Sequence, residues 1–310
     1  MLSCKNLFIA TRPWSFPVSI SPVLLAGLYV WDDAVAAFST SHTVWMLLWT
    51  LVSMILFHAA SNLWSDVFDY RQGVDTDPSV GSPTITGGLL TERQTLVYAL
   101  VLLSIALVNG ILLMCFVGLP LFLFGLAGLV LILCYPWLKY HALGDLDILL
   151  TFGVLPTLGT AYVLTGSLLW SSLWITPVFA TITVAVLHAN NTRDCQRDAN
   201  AHITTLAMLL GTRLCQWKYY CEIWLPLLWT ALCVALTYTL PQSEANPRFH
   251  WLMLAAALIA AIPAVGNTRQ MAQLSRGGSI NTLDQTTAKQ QLVNTFCMTV
   301  AFILHIVWLH

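Results

Sequence analysis

The chain has 310 residues, of which 57% are hydrophobic and only 9% are charged, with a formal net charge of -1. A soluble domain carries roughly 25% charged residues, so this chain has too few polar side chains to cover a soluble globule. The composition indicates an integral membrane protein, and the lack of a basic excess argues against nucleic acid as a partner. The eight Cys contain no C-x-x-C pair and are interpreted as free thiols or apolar packing residues.

Apolar stretches of membrane-spanning length recur along the whole chain. A spanning helix needs about 20 mostly apolar residues, and nine stretches approach that length. The third and fourth are separated only by Gly118 to Pro120, which predicts a tight hairpin. We therefore predict an all-α membrane protein in which nine transmembrane helices surround a central cavity. The predicted spans are residues 14–31, 44–63, 95–117, 118–136, 148–169, 172–190, 222–240, 251–266 and 291–309.

The basic residues predict how these spans are oriented. Cytoplasmic loops of membrane proteins are enriched in Lys and Arg. With the N-terminus inside, every Lys and Arg except Arg248 falls on the cytoplasmic side. The inner loops 64–94 and 191–221 also hold most of the polar residues, and loops carry function more often than the elements they connect. We expect a multi-pass protein of the inner (cytoplasmic) membrane with its active site at the cytoplasmic face.

The two long inner loops also suggest an internal repeat. Each follows the second span of a four-span unit, and each runs from an acidic helix into a turn that contains Thr and Gly. We predict a single domain over residues 1–310. Its parts are two four-helix repeats, about 1–140 and 141–275, and a final helix at 291–309.

Two acidic motifs follow the second and the sixth predicted spans. Within each motif the polar residues are three or four positions apart, which places them on one face of a helix. Two such faces, each at the end of a membrane span, are the feature that a function must explain. They consist of Asn62, Asp66 and Asp69 in NLWSDVFD, and of Asn191, Asp194 and Asp198 in NNTRDCQRD.

Carboxylates at membrane depth are costly unless they are paired or bound to a metal ion. Mg²⁺ prefers oxygen ligands and is usually held by one or two carboxylates plus substrate phosphates. Two facing Asp pairs, with Asn62 and Asn191 as neutral oxygen donors, predict two Mg²⁺ ions that hold one diphosphate. A single Asp of this kind is more often a helix cap or a solvated loop residue. Two similar faces in corresponding positions favour the metal interpretation.

Cationic and aromatic residues accompany both motifs. Arg71, Arg193 and Arg197 lie within them and either pair with the Asp residues or hold diphosphate oxygens. Their alternative explanation is the inside-positive topology signal. In YPWLKY, Lys139 is positioned to touch phosphate and Tyr135 to face a developing cation, while anchoring at the membrane interface explains both equally well.

Several other polar residues near the motifs have simpler explanations. Asp75 and Asp77 extend the first motif, and a turn before proline accounts for them as well as a metal role does. Arg12 lies at the mouth of the first span, where snorkelling to the interface is expected. His58 and His188 each precede an acidic face, and a buried, hydrogen-bonded histidine is favoured over a ligand at both positions.

These motifs resemble the UbiA superfamily of intramembrane aromatic prenyltransferases. Within that superfamily they are most similar to the 1,4-dihydroxy-2-naphthoate prenyltransferases of menaquinone biosynthesis. The segments that carry the resemblance are spread over nearly the whole chain. They are RPWSFPVSISPVLLAG, DVFDYRQGVDT, TGGLLTERQ, YPWLKYHALGD, NNTRD and LDQTTAKQQL.

The resemblance implies Mg²⁺-dependent transfer of a polyprenyl group from its diphosphate to an aromatic quinone precursor, in the lipid bilayer. It implies that each Asp pair binds one Mg²⁺ with the support of its Asn neighbour. It further implies diphosphate contacts for Arg71 and Lys139 and a position near the allylic carbon for Tyr135. Arg12 is the candidate contact for the aromatic acceptor.

The second motif departs from the pattern of many relatives. Ala199 stands in place of a frequent basic residue, and His202 and Ile203 stand where many relatives have Gly-Lys or Gly-Arg. We therefore expect phosphate neutralisation to rest more on Arg193 and Arg197.

Other functions remain open at this level. A polytopic transporter is the main non-enzyme alternative, although its coupling carboxylates should lie near mid-membrane on broken helices. Within the superfamily, 4-hydroxybenzoate, haem B and homogentisate are alternative acceptors. The sequence predicts neither the length of the prenyl chain, nor a general base, nor the oligomeric state.

Overall fold

The computed structural model describes residues 3–76, 82–239 and 247–309, which form helices and no strand. Asp77 lies outside the described residues. The helices are α1 (Cys4–Ala10), α2 (Pro17–Tyr29), α3 (Trp31–Ala37), α4 (Thr40–Gln72), α5 (Glu92–Val117), α6 (Pro120–Tyr140), α7 (Gly144–Leu149), α8 (Leu155–Thr165), α9 (Pro177–Asn200), α10 (Leu206–Thr239), α11 (Pro247–Ala260), α12 (Ile262–Met271) and α13 (Leu283–Leu309).

The all-helical membrane architecture is confirmed, whereas the count of nine spans is not. Within the described residues, seven helical segments are long and apolar enough to cross a membrane, or eight if the bent pair α2–α3 is one span. The difference lies in the predicted span 172–190. A short 3₁₀ helix ends at Ile175, and the apolar part of α9 runs only from Pro177 to Leu187 before the acidic motif begins. That stretch falls short of the roughly 20 apolar residues that a span requires.

The long helices begin and end at residues with clear capping roles. Thr91 and Gln94 form a capping box at the start of α5, in which each side chain bonds the other residue's backbone N–H. Helix α4 ends at Gly73, which adopts φ 74°, a left-handed conformation that glycine reaches without steric cost. Helix α5 ends at Gly118, and α6 starts with Pro120 in its first turn, so the predicted tight hairpin is confirmed.

Burial separates a central group of helices from a peripheral hairpin. In the apolar window of Gly144–Thr165, 61% of residues are buried, against 17% for α5 and 11% for α6. Leu25 of α2, Phe179 of α9 and Met298 of α13 pack in one apolar cluster at the centre. Large apolar side chains of the α5–α6 hairpin remain exposed, because this face of the bundle contacts lipid.

Two backbone hydrogen bonds join the turn after α6 to the turn after α9. The Ala142 N–H donates to the Thr204 carbonyl over 2.9 Å, and the Thr204 N–H donates to the Tyr140 carbonyl over 3.0 Å. This backbone pairing holds the ends of α6 and α9 side by side. The α9 motif therefore lies beside the end of α6, which carries Lys139.

Candidate active site

A cavity of about 860 Å³ lies among the last turns of α4, α6 and α9 and the first turns of α13. Both acidic faces line it, so two motifs far apart in the sequence open onto one space. Asp66 and Arg71 are not among its lining residues. The predicted site residues that line it are Arg12, Asn62, Asp69, Tyr135, Lys139, Asn191, Arg193, Asp194, Arg197 and Asp198.

Asp66 lies one turn before Asp69 on α4 and is fully buried. Its Oδ1 forms an ion pair with the Arg12 guanidinium, and the Ser82 hydroxyl donates to its Oδ2 over 2.8 Å. Arg12 adopts φ 55°, which is uncommon for a residue with a side chain and implies that its surroundings hold it in place. Arg12 lines the cavity and does more than snorkel, because it neutralises the buried Asp66 carboxylate, which does not itself line the cavity.

Asp69 is surrounded by donors from two helices. Lys139 Nζ lies 3.0 Å from Oδ1 and 2.9 Å from Oδ2, and the Tyr140 hydroxyl donates to Oδ1 over 2.8 Å. Ser65, one turn earlier on α4, donates to Oδ2 over 3.2 Å. Charge-assisted hydrogen bonds of this kind stabilise the ionised carboxylate at a buried position.

The α9 face pairs its carboxylate within the same helix. Arg193 forms two hydrogen bonds with Asp194, of 2.7 Å from Nε and 2.8 Å from a terminal nitrogen, and Arg197 forms a further ion pair with Asp194. Arg193 also reaches Asn190 Oδ1 at 2.6 Å and Asp284 Oδ2 at 2.9 Å. The Arg193 guanidinium therefore bridges α9 to the first turn of α13.

Asp198 ends the α9 face. It is 2% exposed, and its Oδ2 has no hydrogen-bond partner among the residues that the structure describes. Asn191, two turns earlier, is also buried and lines the cavity. A buried carboxylate oxygen without a partner is costly, so this face has capacity for a cationic ligand.

Asn62 and Asp75 complete the α4 side of the cavity. Asn62 Nδ2 donates to the Thr11 carbonyl over 3.0 Å and to the Ser15 hydroxyl over 3.1 Å, and these bonds fix the orientation of the amide. Asp75 follows the end of α4, and its Oδ2 accepts from the Ser82 N–H over 3.4 Å. Burial, and after it the nearby Asp69 carboxylate, raises the pKa of Asp75.

Arg71 is not brought to the cavity. Its Nε lies 2.7 Å from Oε1 of Glu92, and the side chains of the pair are 50% and 38% exposed. Residue 71 comes two positions after Asp69, which turns it by about 200° around the helix axis. The structure therefore does not bring Arg71 to the predicted diphosphate contact, because its side chain leaves α4 on the face opposite to Asp69.

The matches to known proteins agree with this arrangement. The model of the UbiA prenyltransferase family matches residues 20–276. This chain belongs to the UbiA prenyltransferase family. UbiA prenyltransferase domain-containing protein 1 of Ailuropoda melanoleuca is 30% identical over 296 residues, covering 94% of this chain and 81% of the relative. The Danio rerio protein of the same name is 33% identical over 247 residues, covering 77% and 71%.

Solved structures share the fold of this prenyltransferase. The apo structure of a UbiA homolog from Aeropyrum pernix K1 has a TM-score of 0.66 at 14% identity, covering 94% of this chain and 97% of the other. A UbiA homolog from Archaeoglobus fulgidus, bound to GPP and Mg²⁺, has a TM-score of 0.64 at 13% identity, covering 96% and 99%. The chain is therefore a multi-pass membrane prenyltransferase, and the transporter alternative is set aside.

An apolar pocket of about 250 Å³ lies beside the polar cavity of the prenyltransferase. It extends between α4, α5, α6 and α8, and its lining is almost entirely aliphatic and aromatic. His58, Ile132, Thr151 and Phe152 line both spaces, so the apolar pocket adjoins the polar cavity at these residues.

His58 and His188 are buried and hydrogen-bonded, as expected. His58 Nδ1 lies 3.0 Å from the Ser19 hydroxyl, and His58 Nε2 lies 3.3 Å from the Ser15 hydroxyl. His188 Nε2 lies 3.1 Å from the Cys215 carbonyl. These bonds account for both imidazoles without a ligand.

A buried ionic network lies behind the α9 face. Lys218 Nζ lies 2.6 Å from Asp145 Oδ2, pairs with Glu222, and lies 3.3 Å from His188 Nδ1. Asp145, His188 and Glu222 are of the residue types that hold metal ions and stand close enough to share one. The Lys218 ammonium already supplies the positive charge among them, so the network links α7, α9 and α10 without an ion.

The sequence reasoning missed several residues that line the cavity. Asp284 and Lys289 belong to α13, which begins at Leu283, well before the predicted span 291–309. The polar run in LDQTTAKQQL was the available signal, since its helical spacing extends the last span toward the cavity. Asp147 and Thr151 follow YPWLKYHALGD, and no motif pointed to them.

Proposed function

We propose that this prenyltransferase transfers a polyprenyl group from polyprenyl diphosphate to 1,4-dihydroxy-2-naphthoate, in menaquinone biosynthesis and with Mg²⁺. The observation that carries the proposal is that both acidic faces open onto one cavity whose wall also holds Lys139, Arg193 and Arg197. A diphosphate needs cationic and metal contacts on several sides, and this cavity offers them.

The donor set fits Mg²⁺, because every candidate ligand atom is an oxygen. The buried Oδ2 of Asp198 has no hydrogen-bond partner among the described residues, which fits a cationic ligand. These carboxylates would hold Mg²⁺, which would supply positive charge toward the departing diphosphate. One ion would be held by Asn62, Asp66 and Asp69, and a second by Asn191, Asp194 and Asp198.

The cationic side chains would bind the diphosphate oxygens. Lys139 already lies within 3.0 Å of a carboxylate on the α4 face, and Arg193 and Arg197 hold Asp194 on the α9 face. All three line the cavity between the faces. In the proposed complex these side chains replace part of their carboxylate contacts with contacts to phosphate oxygens. The Arg guanidinium can donate two parallel hydrogen bonds to one phosphate group.

The apolar pocket would receive the isoprenoid tail. Its aliphatic and aromatic lining excludes water, which would otherwise trap an allylic cation. Tyr135 lines the polar cavity beside Ile132, which the two spaces share. An aromatic ring at that place stabilises positive charge developing at the allylic carbon.

We further propose that the chain lies in the inner (cytoplasmic) membrane with its N-terminus and active site on the cytoplasmic side. The Lys and Arg distribution supports this orientation. The division into repeats at about 1–140 and 141–275, with a final helix at 291–309, is part of the same proposal.

The test is a transfer assay with purified protein in lipid vesicles, Mg²⁺, a labelled polyprenyl diphosphate and a panel of acceptors. The panel contains 1,4-dihydroxy-2-naphthoate, 4-hydroxybenzoate, homogentisate and haem B. We expect prenylated product with the naphthoate and a loss of product with Asp194→Asn. The matched variant Asp33→Asn, at an exposed carboxylate of α3, keeps full activity. Transfer to another acceptor alone would overturn the naphthoate assignment.

A further inference from the structure

Asp147 is a buried carboxylate that forms no ion pair with the described Lys and Arg residues. It is 3% exposed, it lines the polar cavity, and its Oδ1 has no hydrogen-bond partner within the described part of the chain. The structure gives it no ion pair there, whereas Asp66, Asp69 and Asp145 each pair with an Arg or Lys. An uncompensated carboxylate in an apolar bundle is costly, which points to a partner that arrives with a substrate.

Thr151 lies beside Asp147, one turn further along the chain. It is 6% exposed, its hydroxyl interacts with the Asp147 carboxylate, and it lines both the polar cavity and the apolar pocket. Asp147 and Thr151 are four positions apart on continuous helix, so they share one face. The Asp147 carboxylate, whose Oδ1 has no partner among the described residues, therefore lies in the polar cavity one turn from its junction with the apolar pocket.

The chemistry of the substrates identifies the missing partner. The diphosphate is an anion that a carboxylate repels, and a polyprenyl tail has no hydrogen-bond donor. The hydroxyl of an aromatic acceptor is a donor and needs an acceptor when it leaves water. We infer that Asp147 and Thr151 form the binding subsite for the acceptor's ring hydroxyl, with Asp147 as the catalytic residue that takes its proton. This inference rests on the proposed prenyl transfer.

The step balances with the groups already named. Asp147 takes the hydroxyl proton, and the O–H electron pair forms a ring C=O bond. The displaced ring electrons form the new C–C bond to the allylic carbon, while the allylic C–O bond breaks and its electron pair leaves with diphosphate. The substituted ring carbon then loses its proton to the departed diphosphate, or its carboxylate as CO₂, and the electron pair of the broken bond restores aromaticity. Asp147 returns its proton to the ring oxygen.

The test measures transfer by Asp147→Asn and Thr151→Val in the full-length protein in lipid vesicles. Geranyl diphosphate is the donor, and the acceptors are a hydroxyarene and its O-methyl ether. General base catalysis contributes about 10²–10⁴-fold, so we expect Asp147→Asn to lower kcat/KM for the hydroxyarene at least 10²-fold. The donor KM should stay within about twofold, because Asp147 touches neither diphosphate nor tail. With the ether, wild type and Asp147→Asn should be equally slow.

Thr151→Val supplies an independent readout. Loss of one hydrogen bond should raise the acceptor KM by about tenfold. Thr43→Val is the matched control, because Thr43 is also a buried threonine but does not line the cavity. An unchanged acceptor KM in Thr151→Val overturns the inference even if Asp147→Asn fails to fold.

The outcomes separate the inference from the proposed function. Wild-type transfer together with unaltered kcat/KM in Asp147→Asn overturns the subsite alone. No transfer by the wild type to any acceptor overturns the proposed function and the subsite with it. A raised donor KM in Asp147→Asn would show that Asp147 contributes to binding of the donor diphosphate, and it would also contradict the inference.

Discussion

The two acidic faces both have polar residues three or four positions apart, but they differ in how the protein compensates their charge. On α4, Asp66 pairs with Arg12 and Asp69 pairs with Lys139, partners that are 54 and 70 positions away in the sequence. On α9, Asp194 pairs with Arg193 and Arg197 of its own helix. The Asp66 and Asp69 side chains are 1% and 7% exposed, against 20% for Asp194.

This difference indicates that the α4 motif contributes both to folding and to the active site, whereas the α9 motif contributes mainly to the active site. The α4 carboxylates tie the N-terminal segment and α6 to the bundle, so they contribute to folding as well as to the site. On α9, Asp194 makes its ion pairs within one helix, where such pairs add little stability, and Asp198 has no ion pair among the described residues. Substitutions in the two faces should therefore agree in their effect on transfer and disagree in their effect on stability.

The largest expected effect is the loss of transfer from either face. Asp69→Asn and Asp198→Asn should each lower kcat by on the order of 10³-fold, because each removes a charged group that stabilises the leaving diphosphate. The assay is product formation from labelled polyprenyl diphosphate in vesicles, with the exposed-site variant Asp32→Asn as control. Near-normal turnover in either variant would remove that face from the metal proposal.

The free energy of unfolding should respond differently to loss of the cationic partner on the α4 face and on the α9 face. Arg12→Ala leaves Asp66 buried without its cation and should cost about 3 kcal/mol of unfolding free energy. Arg197→Ala should cost less than about 1 kcal/mol, since Asp194 keeps Arg193 and is partly exposed. Denaturant unfolding in micelles, followed by tryptophan fluorescence, measures both.

A double variant tests the cause of the Arg12 effect. Arg12→Ala combined with Asp66→Asn should recover most of the lost stability, because no unpaired charge remains. Equal losses for Arg12→Ala and Arg197→Ala would contradict the contrast between tertiary and local pairing.

Metal removal should have a smaller effect on the fold. Chelation with EDTA should abolish transfer yet move Tm by less than about 3 °C, which corresponds to under about 2 kcal/mol for a chain of this size. The reason is that Asp66, Asp69 and Asp194 each have a cation from the chain itself. Differential scanning fluorimetry with and without EDTA measures the shift, and cooperative unfolding at low temperature after chelation would contradict the prediction.

The smallest effect should come from Arg71→Ala. Its ion pair with Glu92 is exposed, so the variant should keep kcat/KM within about twofold and lose only a few tenths of a kcal/mol. Arg193→Ala, on the cavity wall, is the contrasting variant and should raise the donor KM. A large rise in donor KM for Arg71→Ala would return that residue to the diphosphate site.

Helical spacing predicted which residues share a face, and it succeeded at Asn62, Asp69, Asn191 and Asp198. The same spacing places Arg71 on the side of α4 that faces away from the cavity. Motif similarity alone had suggested that Arg71 contacts diphosphate. The ion pair between Arg12 and Asp66 could not be predicted from the sequence, because pairs between distant segments leave no local pattern.

The predicted spans match the structure where the apolar runs are long. They are not confirmed, or begin at a different residue, where polar site residues interrupt the apolar run. Helix α9 is central to the bundle, yet its apolar stretch is cut short by the acidic motif. Helix α13 starts earlier than its apolar run, because Asp284 and Lys289 face the cavity rather than lipid. In both helices the residues that obscure the span are those that line the site.

The pairing between the turns after α6 and α9 uses only main-chain atoms, with Ala142 and Thr204 as donors. The Thr204 side chain takes no part in this pairing, so position 204 can vary without loosening the rim of the cavity. Ala142 adopts φ 62°, which favours Gly or Asn and penalises β-branched residues. Proline is excluded at both positions, since it has no N–H to donate. A family alignment should show an avoidance of proline at both positions and an enrichment of Gly and Asn at position 142.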